Sequence, residues 1–391
     1  MSKLKNQSKD KSNELRIIEP EFDSQLTQLI IDLEYLRRQK NLSGTTPPSI
    51  FGQLQNLYFL LESVGSARIE GNNTTIIEYA NSKIDNTNGI YPFNEIANIE
   101  KGMKFIEQNA KDFPLNRMFV SELHKFSVQG LPLPPHGEGD ENPGAYRLKN
   151  VAILKSEHRP PEAIDVPRLM DELFCWINEE LPPRYDLLKV ALAHHRFVWI
   201  HPFTNGNGRT ARLFTYAMLV KYGFTLEQGR IVNPVAIFCS SRSDYYRYLQ
   251  KADTGQPEGI LEWCEYVLGG LKKEIEKINQ LTNFSFLCSE LLIPAIHNAH
   301  VHGIITELEE QILQISLAKQ EIKLSDVLGQ NKKNNERTIS RTLESLREKK
   351  MLVGLHDRAR IYRFGFIDSL LLPFIIRSFG EKGFLPMKAD E

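Results

Sequence analysis

Cysteine is scarce in this sequence: four in 391 residues, Cys175, Cys239, Cys264 and Cys288, with no Cys-x-x-Cys pair. That spacing excludes a disulfide scaffold and a thiolate zinc site, and it fits a reducing cytoplasm. Net charge is almost absent as well, with 48 Lys+Arg against 49 Asp+Glu for a formal −1. A polybasic nucleic-acid coat and an acidic tail protein are therefore excluded for the chain as a whole. Long apolar runs are missing too. The nearest approach to the ~18 residues of a membrane span, residues 187–200, is broken by Lys189, His194, His195 and Arg196. No membrane partner is expected. The first residues, Met1 to Gln7, hold no apolar segment of the secretory kind. What is present, 41% hydrophobic and 25% charged residues, is the balance of a globular protein of two or three domains.

Apolar periodicity predicts a mainly α fold. Residues 1–14 are polar and read as a disordered leader. Helices are expected over 22–39, 50–64, 75–82, 94–109 and 116–127. They resume over 165–180, 186–199, 210–222, 241–252 and 260–282. The intervening stretch, 131–161, is rich in Pro and Gly and long enough to be functional, with residues 146–154 expected as a β-hairpin. The last hundred residues read as a separate module: helices over 306–319, 325–328 and 335–350, then two short strands, which is the winged-helix order. The divisions expected are a helical region over 15–112, a core over 113–283, a linker helix over 284–303, a winged helix over 304–367 and a tail over 368–391.

The densest stretch is His201-Pro-Phe-Thr-Asn-Gly-Asn-Gly-Arg-Thr-Ala-Arg212. A Gly-rich turn opening a helix aims backbone N–H groups at one point with the helix dipole behind them. Arg209 and Arg212, three apart, share a helix face. Two guanidiniums beside such a nest describe a polyphosphate site, to which His201 adds a group that titrates near neutrality and Asn207 an amide. The stretch also matches G-x-G-x-x-A, but the helix expected before it argues against a dinucleotide fold. His194, His195 and His201 form the other candidate cluster. With no carboxylate or thiol at ligand spacing they read as ordinary helix histidines rather than metal ligands.

This stretch resembles the signature of the Fic family, H-P-F-x-x-G-N-G-R-x-x-R, at every defining position, and the resemblance covers roughly residues 20–280. Most members of that family move AMP from ATP to a Ser, Thr or Tyr hydroxyl of a target protein and release pyrophosphate. The resemblance implies a Fic-type helical core with a β-hairpin flap. In it His201 is the general base and Phe203 holds the loop. Asn207 with the Gly206 and Gly208 amides binds the α- and β-phosphates, Arg209 the β-phosphate and Arg212 the γ-phosphate. The ATP stretch thus runs from Asn205 through Thr210 and Ala211 to Arg212. Tyr245, Tyr246 and Asp253 fall where the family packs adenine and ribose; by themselves they read also as core-facing residues of an amphipathic helix. Arg147, Val151, Ala152, Ile153 and Leu154 fall on the flap that docks a target by main-chain pairing. One position departs: Asn205 stands where the family commonly has the Asp or Glu that holds Mg²⁺ (or Mn²⁺), and a single neutral oxygen weakens that site.

Upstream, Ser66-Ala-Arg-Ile-Glu70-Gly71-Asn72 reads by itself as a helix end capped by Gly71. In a Fic protein it resembles the inhibitory motif, which implies that Glu70 competes for Arg212. Between residues 332 and 363, ten Lys/Arg face four Asp/Glu, a local excess of about six positive charges. Arg337, Thr338 and Arg341 on the third helix, with Arg358 and Arg360 on the wing, are the DNA-contact candidates. A protein-binding module, or a homodimer contact, fits the same residues. The leading expectation is an autoinhibited adenylyltransferase; the alternative is a DNA-binding regulator with a nucleotide-binding, weakly active core. Removal of AMP and transfer of another phosphate group stay open.

Overall fold

Helix caps and apolar stripes account for most of the chain. The computed structural model describes residues 15–38, 44–85, 87, 90–153, 156–224, 234–331, 333–354 and 360–385. The expected leader, Leu154 and Arg358 lie outside the described residues. The protein is mainly α, about 66% helical, with one two-stranded sheet among the described residues.

The chain divides into two units that interleave along the sequence. The first gathers the described residues up to Arg38, then Phe105–Gly223 and Ser241–Lys272; the second holds the rest. In the first unit lie α1 (Gln25–Arg38), α5 (Arg117–Val128), α6 (Val166–Asn178), α7 (Asp186–Ile200), α8 (Asn207–Lys221) and α10 (Arg242–Asp253). α7 and α8 are buried nearly all round, as expected of core helices. α5 and α6 pack beside them. α1 joins this unit through Leu26, Leu29 and Leu33 and through two ion pairs, Arg37 with Asp186 at 2.6 Å and Asp32 with Lys272 at 2.9 Å. The division differs from the consecutive one expected, because these contacts bring α1 to the core and leave the helices after it in the other unit.

The second unit holds α2 (Pro48–Ile69), α3 (Ile76–Ile84), α9 (Pro234–Cys239) and the described chain from Lys273 onward, while α4 (Phe93–Asn109) and α11 (Pro257–Asn279) contain the boundaries. α2 runs longer than its expected 50–64 and ends in a Schellman turn. The Asn72 N–H donates to the Ala67 carbonyl, the Gly71 N–H donates to that of Arg68, and Gly71 has φ +110. Beyond α11 come α12 (Phe284–Leu287), a π-turn, and α13 (Ile293–Val301). Next are α14 (Glu307–Lys319), α15 (Leu324–Gln330) and α16 (Glu336–Glu348), with capping-box residues Thr306 and Glu309 opening α14 and Asn335 capping α16. β1 (Leu352–Gly354) and β2 (Tyr362–Phe364) pair antiparallel, Leu352 opposite Phe364.

Two further segments differ from expectation. Among the described residues, 146–153 form no strand; Arg147 spends its hydrogen bonds on the end of α7 instead of on a hairpin ladder. The expected tail holds α17 (Leu372–Glu381), an amphipathic helix whose Leu372, Ile375, Ile376 and Phe379 are buried, with Ser378 Oγ donating to the Leu291 carbonyl at 3.0 Å.

Candidate functional site

The turn between α7 and α8 carries His201 to Gly206. His201 ends α7 in the left-handed region (φ 51, ψ 61), with its N–H on the Phe197 carbonyl at 3.0 Å. Its Nδ1 faces the Val198 carbonyl at 3.4 Å. The tautomer that donates from Nδ1 carries its lone pair on Nε2, so Nε2 is the nitrogen suited to take a proton. Gly206 closes the turn at φ 71, and a Cβ there would meet Val128 Cγ1 at 2.7 Å, so backbone conformation and close approach both demand glycine. α8 opens at Asn207, three residues before its expected start. Its first-turn amides, at Asn207, Gly208 and Arg209, have no preceding turn to bond to and point together.

Phe203 is fully buried and stacks on His124, ring centroids 3.7 Å apart and planes within 1°. The Asn207 side chain grips the Phe203 backbone from both sides, accepting its N–H at 2.9 Å and donating to its carbonyl at 2.8 Å. Asn207 was expected to reach a phosphate; here its amide shapes the loop. Arg209 differs in the same way. It is wholly buried, donating to the Ser127 carbonyl of α5 at 2.9 Å and to the Glu138 carbonyl of the 131–145 loop at 2.8 Å, so both terminal nitrogens expected for a β-phosphate are engaged by backbone. Thr210 bridges Ser127 Oγ and the Gly206 carbonyl, and Ala211 and Arg212 are buried.

His124, on α5, is a residue that the sequence reading missed. It is fully buried and accepts the Gly144 N–H on Nδ1 at 2.8 Å, so its proton sits on Nε2, which donates to the Asn205 carbonyl at 3.0 Å. Burial pushes its pKa down to about 4, opposed by the Asn205 carbonyl and Asp140. Asp140 accepts the Asn205 N–H at 3.1 Å and the Asn142 N–H at 2.8 Å. The Asn205 side chain is engaged on both ends, its Nδ2 donating to Gly139 and its Oδ1 accepting from the Gly206 N–H. An amide oxygen already in use does not fit a resident Mg²⁺. Arg147 closes the other side. Its guanidinium donates to the carbonyls of His201, Lys149, Pro161 and Ile200, and its own N–H to Pro202, which caps the negative end of α7. Val151, Ala152 and Ile153 come next as partly or fully exposed backbone with no ladder among the described residues.

The α10 candidates divide. Tyr245 is buried, its hydroxyl 2.9 Å from His194 Nε2, while Tyr246 is exposed. Thr215 Oγ1 donates to the Ala211 carbonyl and so accepts from His194 Nδ1 at 2.7 Å, which leaves His194 Nε2 to accept from Tyr245. Burial and the nearby Arg212 charge hold His194 well below its ordinary pKa, so this chain from α10 to α8 is neutral. Asp253 pairs with His195 at 2.9 Å rather than lying open. Tyr245 and Asp253 therefore brace α10 against α7. Tyr245 thus fits the core-facing alternative and Tyr246, exposed, does not.

The inhibitory candidates lie in the second unit: Ser66 is buried on α2, Glu70 is its partly exposed C-cap, and Asn72 donates to Glu95 Oε2 at 2.8 Å. On α16, Arg337, Thr338 and Arg341 are exposed opposite the buried Ile339, Leu343 and Leu346, and Arg360 is exposed beside β2.

Residues 114–219 match the model of the Fic/DOC family. The chain is 31% identical over 169 residues to "Protein adenylyltransferase Fic" of Nematostella vectensis, covering 42% of this chain and 36% of that protein. It is 28% identical over 263 residues to the protein of the same name from Drosophila virilis, covering 63% and 49%. The chain thus spans about a third to a half of these relatives' length. In fold it is similar to a Fic family protein from Desulfovibrio desulfuricans G20, with a TM-score of 0.51 at 20% identity over 89% of this chain and 97% of that one. It is similar also to Fic-1 from C. elegans, with a TM-score of 0.50 at 19% identity over 66% and 73%.

Proposed function

We propose that this chain, whose residues 114–219 match the Fic/DOC family, is an autoinhibited protein adenylyltransferase. It transfers AMP from ATP to a Ser, Thr or Tyr hydroxyl of a target protein, and of itself, and releases pyrophosphate. The observation that carries this reading is the α7–α8 turn, which sets the His201 imidazole at one end and the first-turn amides of α8 at the other. The target hydroxyl oxygen attacks the α-phosphorus while His201 Nε2 takes its proton; the bond from the α-phosphorus to the bridging oxygen breaks, and pyrophosphate leaves. Backbone N–H groups of Asn207, Gly208 and Arg209 stabilise the charge that builds on the phosphates. Arg212 receives the γ-phosphate. Asn207 and Arg209 act by holding the loop. Magnesium enters with the nucleotide, as part of the substrate. The open backbone of Val151 to Ile153 suits an extended target segment added by main-chain pairing.

Glu70 is the brake in this reading: a carboxylate competing with the γ-phosphate for the Arg212 guanidinium. Its support is the Ser66 to Asn72 motif and the Schellman turn that makes Glu70 the C-cap of α2. Intact-mass measurement after incubation with ATP and Mg²⁺ tests the reading. The Glu70→Gly protein is expected to gain one or more AMP groups while the wild type gains few; equal adducts on both remove the brake.

A second reading rests on the exposed Arg337 and Arg341 of α16, which take part in no ion pair among the described residues. By contrast, Lys349 is paired with Glu309, and Arg363 and Arg347 with Glu321 and Glu344. We infer that residues 304–367 form a winged helix that lays α16 in a DNA groove. Fluorescence anisotropy with mixed duplexes is expected to show binding that weakens steeply as salt rises. Salt-independent binding, or none, assigns the module to protein contacts instead.

A further inference from the structure

Three of the ten histidines fall within six residues: His297, His300 and His302. They belong to α13 and the turn after it. His297 and His300 stand three apart and so share one helix face. α14 returns after the turn at Gly303 (φ +72) and packs on α13, bringing Glu310 to that face. Glu310 is buried. Its Oε1 lies 3.0 Å from His297 Nδ1 and its Oε2 lies 2.5 Å from His300 Nδ1. One ligand atom from each of the three residues falls within 4.8 Å of the others.

A hydrogen-bonded trio is the simplest account of such a cluster, and one atom argues against it. His300 Nδ1 is buried and has no hydrogen-bond partner despite its 2.5 Å approach to the carboxylate. The approach lacks the alignment of an N–H···O bond. Both imidazoles direct a nitrogen at the one carboxylate, His297 Nδ1 within hydrogen-bond distance of Oε1 and His300 Nδ1 unbonded, and a cation in place of the ring protons engages all three groups at once. Gln314 Nε2 supplies a supporting contact, donating to Glu310 Oε1 at 3.2 Å and holding the carboxylate in its orientation. His302 is turned elsewhere, with its Nδ1 on the Asn298 carbonyl at 2.8 Å.

We propose that His297, His300 and Glu310 bind one divalent transition-metal cation, zinc above all, which pins α13 to α14. Two imidazole nitrogens and one carboxylate oxygen suit zinc, with water in the fourth position. Magnesium and calcium prefer sets made wholly of oxygen. Because the ligands come from two helices joined by a short turn, bound metal stabilises the folded arrangement by mass action. Nothing in this site depends on nucleotide chemistry.

The test uses full-length, untagged, metal-free protein titrated with ZnCl₂ against a chromophoric zinc chelator, with cobalt(II) spectra in parallel. One equivalent of zinc and a four-coordinate cobalt spectrum are expected, and both are lost in His297→Ala/His300→Ala while far-UV circular dichroism stays that of wild type. Should that variant fail to fold, Glu310→Gln keeps the shape of the side chain and is expected to bind zinc about tenfold or more weakly. Failure of the wild type to compete with the chelator overturns the proposal. So does unchanged stoichiometry in the double variant, or wild-type affinity in Glu310→Gln.

Discussion

At the scale of the residue, His124 shows how a side chain outside the motif holds the motif in place. It stacks on Phe203, accepts from Gly144 and donates to Asn205, so one imidazole ties α5, the 131–145 loop and the α7–α8 turn together. All of this requires the neutral form. Because burial lowers the folded pKa to about 4 while the unfolded value stays near ~6.5, the unfolded chain takes up the proton first as pH falls. The contribution of His124 to stability is complete above the unfolded value and is lost progressively toward pH 4. At about 1.4 kcal/mol per pKa unit, about 2 kcal/mol disappears between pH 7 and 4.5. Denaturant unfolding of wild type and His124→Gln at both pH values checks this: the wild type is expected to lose about 2 kcal/mol more than the variant, and equal losses contradict it. No sequence signal marked His124, a lone histidine among Phe119, Val120 and Leu123. The glycine at 206 was legible as a turn residue, because its φ of 71 and the approach of Val128 leave room for nothing else. Asn207 turns its amide onto the backbone of Phe203 within the same turn, and the carbonyls that occupy Arg209 come from Ser127 on α5 and Glu138, both about 70–80 positions away, so neither task was legible.

At the scale of the element, the end of α7 decides where His201 stands. Arg147 caps it by donating to the carbonyls of Ile200 and His201, and burial lowers the pKa of its guanidinium. A lysine has one compact ammonium and cannot reproduce the fork. Arg147→Lys in the Glu70→Gly background is expected to cost about 1–3 kcal/mol of stability and to slow labelling, with little change in the KM for ATP. A normal rate with an unchanged melting temperature contradicts the capping role. Helix periodicity was readable where the pattern was long, as in α4 and α7. The hairpin expected over 146–154 was read from a short apolar stretch, and among the described residues 146–153 form no strand. α17 was passed over although Leu372, Ile375, Ile376 and Phe379 obey the i, i+3, i+4, i+7 rule. Its position near the end of the chain masked a pattern that burial now explains.

At the scale of the whole molecule, the near-zero net charge conceals a division of labour. The first unit builds a buried polar turn from α5, α7 and α8; the second carries both the Glu70 motif and the basic helix α16. The interleaving of the two units was invisible in the sequence, because the salt bridges that draw α1 to the first unit join residues about 150 and 240 positions apart. The central claim is that His201 moves AMP, not another part of ATP. It is tested most directly by incubating Glu70→Gly and Glu70→Gly/His201→Ala side by side with ATP labelled at the α- or the γ-phosphate. The account predicts that α-label alone is retained on protein, and only when His201 is present. Retained γ-label, or α-label that survives the loss of His201, contradicts it.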